Sequence, residues 1–178
     1  MSSCKPARDY LYWVVILMHL VAMLGVDFVP FYPQALCQPT NSPLHFLVVY
    51  RNWYIDTMAD PYYNHSSPGH FFDFLVYVEL SIQFPLALYL TRGLVVKQPL
   101  SGAGELATLV YSLTTGLCTA IVCYNMWHLG PETITSQAKQ TLLFGAYLPY
   151  AIIPLFMAAD MYLRLLPRLR ASSRTKHD

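Results

Sequence analysis

The sequence predicts an all-α membrane protein: a four-transmembrane-helix bundle with a long structured lumenal loop between helices 1 and 2. Three observations predict it. Of the 178 residues, 55% are hydrophobic and only 12% are charged, whereas a soluble domain carries about 25% charge. Four stretches stay apolar over the roughly 20 residues needed to cross hydrocarbon. Lys and Arg gather on alternate sides of those stretches, as cytosolic loops require.

The spans fall at about 10–29, 70–90, 106–127 and 142–163. The chain divides accordingly into an N-terminus at 1–9, a four-helix domain at 10–163 and a basic tail at 164–178. Span 1 reads as a membrane helix, not a signal peptide. Its apolar run is too long, and no small-x-small cleavage site follows Asp27-Phe28-Val29-Pro30. Lys5, Arg8, Arg92, Lys97, Arg164, Arg168, Arg170, Arg174 and Lys176 fall on one side, and only Arg51 and Lys139 on the other. Both termini are therefore expected in the cytosol. A near-neutral balance, net +1, gives no field for nucleic acid. The four cysteines follow no metal or disulfide spacing, and no metal site or cofactor is expected.

The loop at about 31–69 is too long for a simple connection. Phe46, Tyr50, Trp53, Tyr54, Tyr62 and Tyr63 make it too aromatic to be disordered. The stretch 44–54 is expected to fold as a helix lying against the bundle and lidding its lumenal end. Asn64-His65-Ser66 fits a glycosylation sequon.

Two carboxylates stand where hydrocarbon disfavours them. Asp27 ends one apolar run and Glu79 sits mid-way along another. Each costs about 2.5–3.5 kcal/mol at membrane depth unless protonated, paired or facing a wet cavity. The reading adopted is that they share one pocket; for Asp27 the alternative is a helix-end residue facing lumenal water. Gln83, four residues on from Glu79, shares its face, and Pro85 kinks the span and frees carbonyls near Ser81. Span 4 carries Tyr147-Leu148-Pro149-Tyr150 and Pro154, so its tyrosines are either contacts to a ligand or interface residues beside a kink. Tyr111, Ser112, Thr114, Thr115 and Thr119 in span 3 mark either close packing or a cavity wall. Asp60 before Pro61 reads as a turn initiator. Asp160 pairs with Arg164, four residues on. His19 has no second ligand at metal spacing and reads as a packed residue.

Asp27 followed by Val29-Pro30, Trp53-Tyr54 with Asp60-Pro61, Val78-Glu79-Leu80-Ser81-Ile82-Gln83-Phe84-Pro85, Tyr111-Ser112, and Tyr147-Leu148-Pro149-Tyr150 with Pro154 occur in this order. In order and spacing the chain resembles the sigma-2 receptor (transmembrane protein 97) family, within the EXPERA superfamily that includes the emopamil-binding sterol isomerases. The resemblance covers about 10–163. It departs in a longer first loop and in Thr114, where the animal proteins often show His.

The resemblance implies a four-helix protein of the endoplasmic reticulum membrane, or another endomembrane such as the nuclear envelope. It implies a homodimer with a pocket for sterols, other lipids and cationic amphiphiles. It implies Asp27 as the amine-pairing acid, Glu79 as a protonated partner hydrogen-bonded to it, and Asp60 as support for the lid. The candidate ligand-binding set is then Asp27, Glu79, Gln83, Asp60, Tyr150, Tyr147, Tyr111 and Thr115. The first functional expectation is a non-enzymatic sterol or lipid receptor or carrier. The alternatives are a sterol Δ8–Δ7 isomerase and a reticulum factor that assists mitochondrial precursor proteins. The end of the tail, with Arg174 and Lys176, approximates a basic retrieval signal or is simply a positive-inside tail.

Overall fold

The computed structural model describes residues 6–63, 70–95 and 100–174. The Asn64-His65-Ser66 sequon, Lys5, Lys97 and Lys176 lie outside the described residues, as does the side chain of Arg174. The architecture is all-α, with no strand among the described residues. Four helical segments are long and apolar enough to cross a membrane: Ala7–Asp27, Phe71–Gly93, Gly102–His128 and Ser136–Arg170.

Local chemistry explains where these spans begin and break. Span 1 is α1 (Ala7–Ala22) followed by a π-helical turn, Met23–Asp27. A short 3-10 turn, α2 (Gln34–Cys37) and α3 (His45–Met58) form the loop. Ala59 stops α3 in the left-handed region at φ 50°, directly before Asp60-Pro61. Span 2 is α4 (Phe71–Val78), a π turn Glu79–Gln83, and α5 (Phe84–Val95). Span 3 is the single helix α6 (Gly102–His128), capped by the Ser101 hydroxyl accepting from the Gly104 amide at 3.1 Å. Span 4 is α7 (Ser136–Leu142), a π turn Leu143–Tyr147, and α8 (Leu148–Arg174). Thr135 caps α7 through the Ala138 amide, which starts span 4 about six residues ahead of its apolar run.

The three π turns share a cause. Each is followed within three residues by a proline: Pro30, Pro85 and Pro149. Proline has no N–H, and its ring clashes with the carbonyl four residues back. Those carbonyls belong to Val26, Ser81 and Gly145, all inside the π turns. Widening the turn lets the amide ahead of the proline bond five residues back instead: Phe28 to Met23, Phe84 to Glu79, Leu148 to Leu143. Such widened turns are often found at functional sites.

Neighbouring spans pack in chain order. α1 lies on α5, α5 on α6, and α6 and α8 pack along their length. Gly116 permits that last approach. A Cβ there would stand 2.7 Å from Leu155 Cγ and 3.1 Å from the Ala151 carbonyl. The core is filled by Ile16, Met23, Tyr111, Met126, Met157 and Met161, all fully buried.

Both ends of the described chain meet at one end of the bundle, here the terminal end. Arg8 pairs with Asp160 at 2.8 Å, and Arg164 with Asp9 at 2.7 Å and with Asp160 at 2.6 Å. Arg168 reaches Glu105 at 3.0 Å, and the Tyr12 hydroxyl donates to Asp160. The expected Asp160–Arg164 pair thus exists within a larger network that ties span 1 to span 4 and span 3 to span 4. Asp9 and Glu105 are buried, so removing either arginine strands a charge and costs several kcal/mol.

Replacing Gly116 with Ala forces Leu155 and the α8 backbone away from α6. The expected loss is about 1–3 kcal/mol, as for other overpacked cores, read as a lower midpoint in thermal unfolding of the detergent-solubilised protein. Gly93→Ala is the matched control: nothing lies within 4 Å of its added Cβ, and a gain of up to about 1 kcal/mol from helix propensity is expected.

Candidate functional site: an acid-lined cavity within the bundle

A cavity of about 570 Å³ lies inside the bundle, walled by all four spans and the loop. The π turns shape it: Asp27, Glu79, Gln83 and Tyr147, which begin or end them, and Gly145 and Ala146 within the third, all line it. Most of the remaining wall is apolar, including Val15, Met18, Leu75, Val122 and Ile153.

Each acid has its own answer in the wall. The Tyr63 hydroxyl, brought in by the loop, donates to Asp27 Oδ1. Behind it, Arg51 of α3 lies over the Tyr63 ring at 5.9 Å and donates through Nε to the Val26 carbonyl at 3.2 Å. That carbonyl is one of those denied a partner by proline. Glu79 Oε1 lies 2.7 Å from His19 Nε2, and His19 Nδ1 lies 2.7 Å from the Tyr111 hydroxyl. With its proton on Nε2 the ring donates to Glu79 and accepts from Tyr111. The Tyr150 ring packs edge-on against His19 at 5.4 Å, and its hydroxyl donates to the Val15 carbonyl at 3.1 Å.

The acids therefore share a cavity, and each also has a partner of its own there, Tyr63 for Asp27 and His19 for Glu79. His19, eight residues before Asp27 on span 1, is level with Glu79.

Of the other candidates, Gln83, Tyr147 and Tyr150 line the cavity. Gln83 is oriented by Thr115, whose hydroxyl donates to its Oε1 at 3.1 Å. Thr115, Tyr111 and Asp60 do not line it; they stand one layer behind, buried, and hold residues that do. Asp60 is completely buried. It accepts from the hydroxyls of Tyr147 at 2.6 Å and Tyr54 at 3.1 Å, and from the Tyr62 amide at 3.0 Å. The turn-initiator reading captured only the last of these. Burial raises the Asp60 carboxyl above its ordinary value, and the bonds from Tyr147, Tyr62 and Tyr54 pull it partly back. Burial likewise raises the phenols of Tyr54, Tyr62 and Tyr63, so each stays a donor.

His19, Tyr54, Tyr63 and Cys118 were not anticipated in the wall. For His19 a signal existed: a polar ring at membrane depth carries the same cost argument as the acids, and it stands eight residues before Asp27 on one face. Tyr63 arrives through an irregular turn, where no periodicity points inward, and Tyr54 comes from the loop helix α3, whose register against the bundle the sequence leaves open.

Residues 46–161, well over half of the chain, match the family model described as EBP: EXPERA (EXPanded EBP superfamily). No curated protein matches the chain.

Asp60→Ala leaves two tyrosine hydroxyls and an amide without their acceptor. Each stranded donor costs about 1–3 kcal/mol, so a thermal-unfolding midpoint well below that of the parent protein is expected. Asp60→Asn retains one acceptor oxygen and should recover part of the loss.

Proposed function

The chain belongs to the EXPERA (EXPanded EBP) superfamily, and on that premise we propose that it is a receptor or carrier that holds a sterol, another lipid or a cationic amphiphile inside the membrane. The observation that carries this reading is a cavity with an apolar body and two acids, Asp27 and Glu79, in its wall. Its volume falls within the roughly 300–1,000 Å³ typical of small-molecule sites. A fused-ring or acyl body packs against Val15, Met18, Leu75, Val122 and Ile153. The polar head meets Asp27 beside Tyr63. In this weakly polarisable setting an ammonium–carboxylate attraction is far less screened than in water. Access from lipid runs between spans 1 and 4, where Met18 and Ile153 line the cavity and are also exposed on the outer surface.

The membrane we assign is the endoplasmic reticulum, with both termini cytosolic. The support is the distribution of Lys and Arg, nine on the terminal side and two opposite, together with the superfamily's setting.

The hydrogen bond between His19 and Glu79 favours one second reading, a sterol double-bond isomerase. In it, Glu79 or His19 delivers a proton to one alkene carbon, and a base removes another from the neighbouring carbon of the resulting cation. Incubating purified protein with a Δ8-sterol separates the two: a receptor leaves it unchanged, and Δ7 product establishes the enzyme.

Asp27→Asn should weaken binding of a cationic amphiphile by about 10- to 100-fold, the worth of one charge-assisted contact. Binding of a neutral sterol to the same variant should remain within about threefold, since its ring body contacts are untouched. Equal loss of both ligands, or full retention of the amine, removes Asp27 from the role given to it. Radioligand binding to the folded variant in detergent reads both.

A further inference from the structure

The loop helix α3 carries an aromatic face that the bundle leaves largely exposed, only the Tyr50 ring touching span 1, at Gly25. Phe46, Val49, Tyr50 and Trp53 are exposed by 62%, 55%, 43% and 53%, and they recur at i, i+3, i+4 and i+7, one side of a helix. The Tyr50 and Trp53 rings stack on each other with centroids 5.8 Å apart.

The helix has three sides. At about 100° per residue, Leu47, Val48, Arg51, Tyr54 and Ile55 turn toward the bundle, and all are partly covered. Asn52 and Asp56 are exposed on a narrow polar side. The aromatic face lies between the polar side and the outer edge of the bundle. With one side on the bundle, the helix leaves uncovered a narrow polar stripe and a broader aromatic side, the arrangement of a helix lying in a bilayer interface. Tyr and Trp collect at that level because one edge of the ring is apolar and the other polar.

The face is continuous with the surface that the spans present to lipid. α3 packs on the π turn of span 1 and on the Val29–Phe31 turn. Phe31, itself exposed, leans on exposed Tyr77 of span 2 at 5.9 Å. Val21 and Leu24 of span 1 are exposed as well.

We propose that α3 is a membrane-docking helix whose Phe46, Val49, Tyr50 and Trp53 face lies at the headgroup–acyl boundary of the phospholipid leaflet. The leaflet then bears directly on the site. Arg51 and Tyr54, on the opposite side of the same helix, hold the Val26 carbonyl, the Tyr63 ring and Asp60. Docking fixes the roof of the cavity whichever ligand the cavity takes.

The test uses the full chain in phosphatidylcholine nanodiscs. Trp13 and Trp127 are replaced by Phe, so that Trp53, the remaining one of three tryptophans, reports alone. Lipids brominated high on the acyl chain should lower its emission by about half or more, those brominated near the chain end by less, and aqueous iodide very little, as expected at the boundary. Strong iodide quenching without bromine quenching puts the face in water and overturns the proposal. Emission blind to bromine but changing with the protein-to-lipid ratio assigns the face to a second copy and also overturns it. Should the double replacement not fold, a photo-crosslinking residue at position 46 of the otherwise unaltered chain gives the same answer. A phospholipid adduct supports docking, and a protein adduct or none opposes it.

Discussion

Inside hydrocarbon a backbone carbonyl has no water to turn to, and this constraint organises the molecule. A proline in a spanning helix removes one donor and pushes aside one acceptor. Three spans of this chain meet that demand in one way, by widening a turn just ahead of the proline. A widened turn displaces side chains from the regular helical stripe, and here the displaced residues are the ones around the cavity. The Val26 carbonyl shows the arrangement in miniature: proline leaves it free, and Arg51 from the loop takes it up. One interaction thereby joins the helix break to the lid.

Charge is distributed by the same economy of partners. At the terminal end, acids and arginines neutralise one another across spans 1, 3 and 4. Among the described residues, no arginine or lysine lines the cavity wall. There the acids are met by a phenol and an imidazole, groups that can give a hydrogen bond without cancelling the charge outright. On the function proposed above, the Tyr63 hydroxyl leaves the Asp27 carboxylate able to accept a ligand's ammonium, and Arg51 stands behind the Tyr63 ring. The hydroxyls of Tyr54 and Tyr147 converge on Asp60, so the cavity's tyrosine wall is set by an acid that never reaches the cavity.

The spans were legible because hydropathy over some 20 residues is a strong signal, and their ends moved where a helix ran on past its apolar stretch, as at the start of span 4, which Thr135 caps. Asp27 and Glu79 were legible because an acid in hydrocarbon is conspicuous. What escaped was pairing. Sequence spacing places Gln83 on the face of Glu79, but it does not reveal that His19 of span 1 lies level with that face. The π turns escaped because proline announces a disturbance without saying whether the helix will kink or widen. Asp60 escaped in part because a turn signal before proline is satisfied by one local amide, while its two tyrosine donors come from separate elements.

The ionic knot at the terminal end has a geometric consequence. Spans 1 and 4 are fastened there by Arg8, Asp9, Asp160 and Arg164, and further along by the Tyr150 hydroxyl on the Val15 carbonyl and the ring of His19. Two rods fastened at one tip part by rotation, so the slit between them opens as a wedge with its vertex at the fastening. The widest part of that wedge falls at the opposite tip, beside Asp27, so on the reading proposed above a slender amphiphile sliding in from the bilayer would arrive head-group first at the carboxylate and swing its body in afterwards.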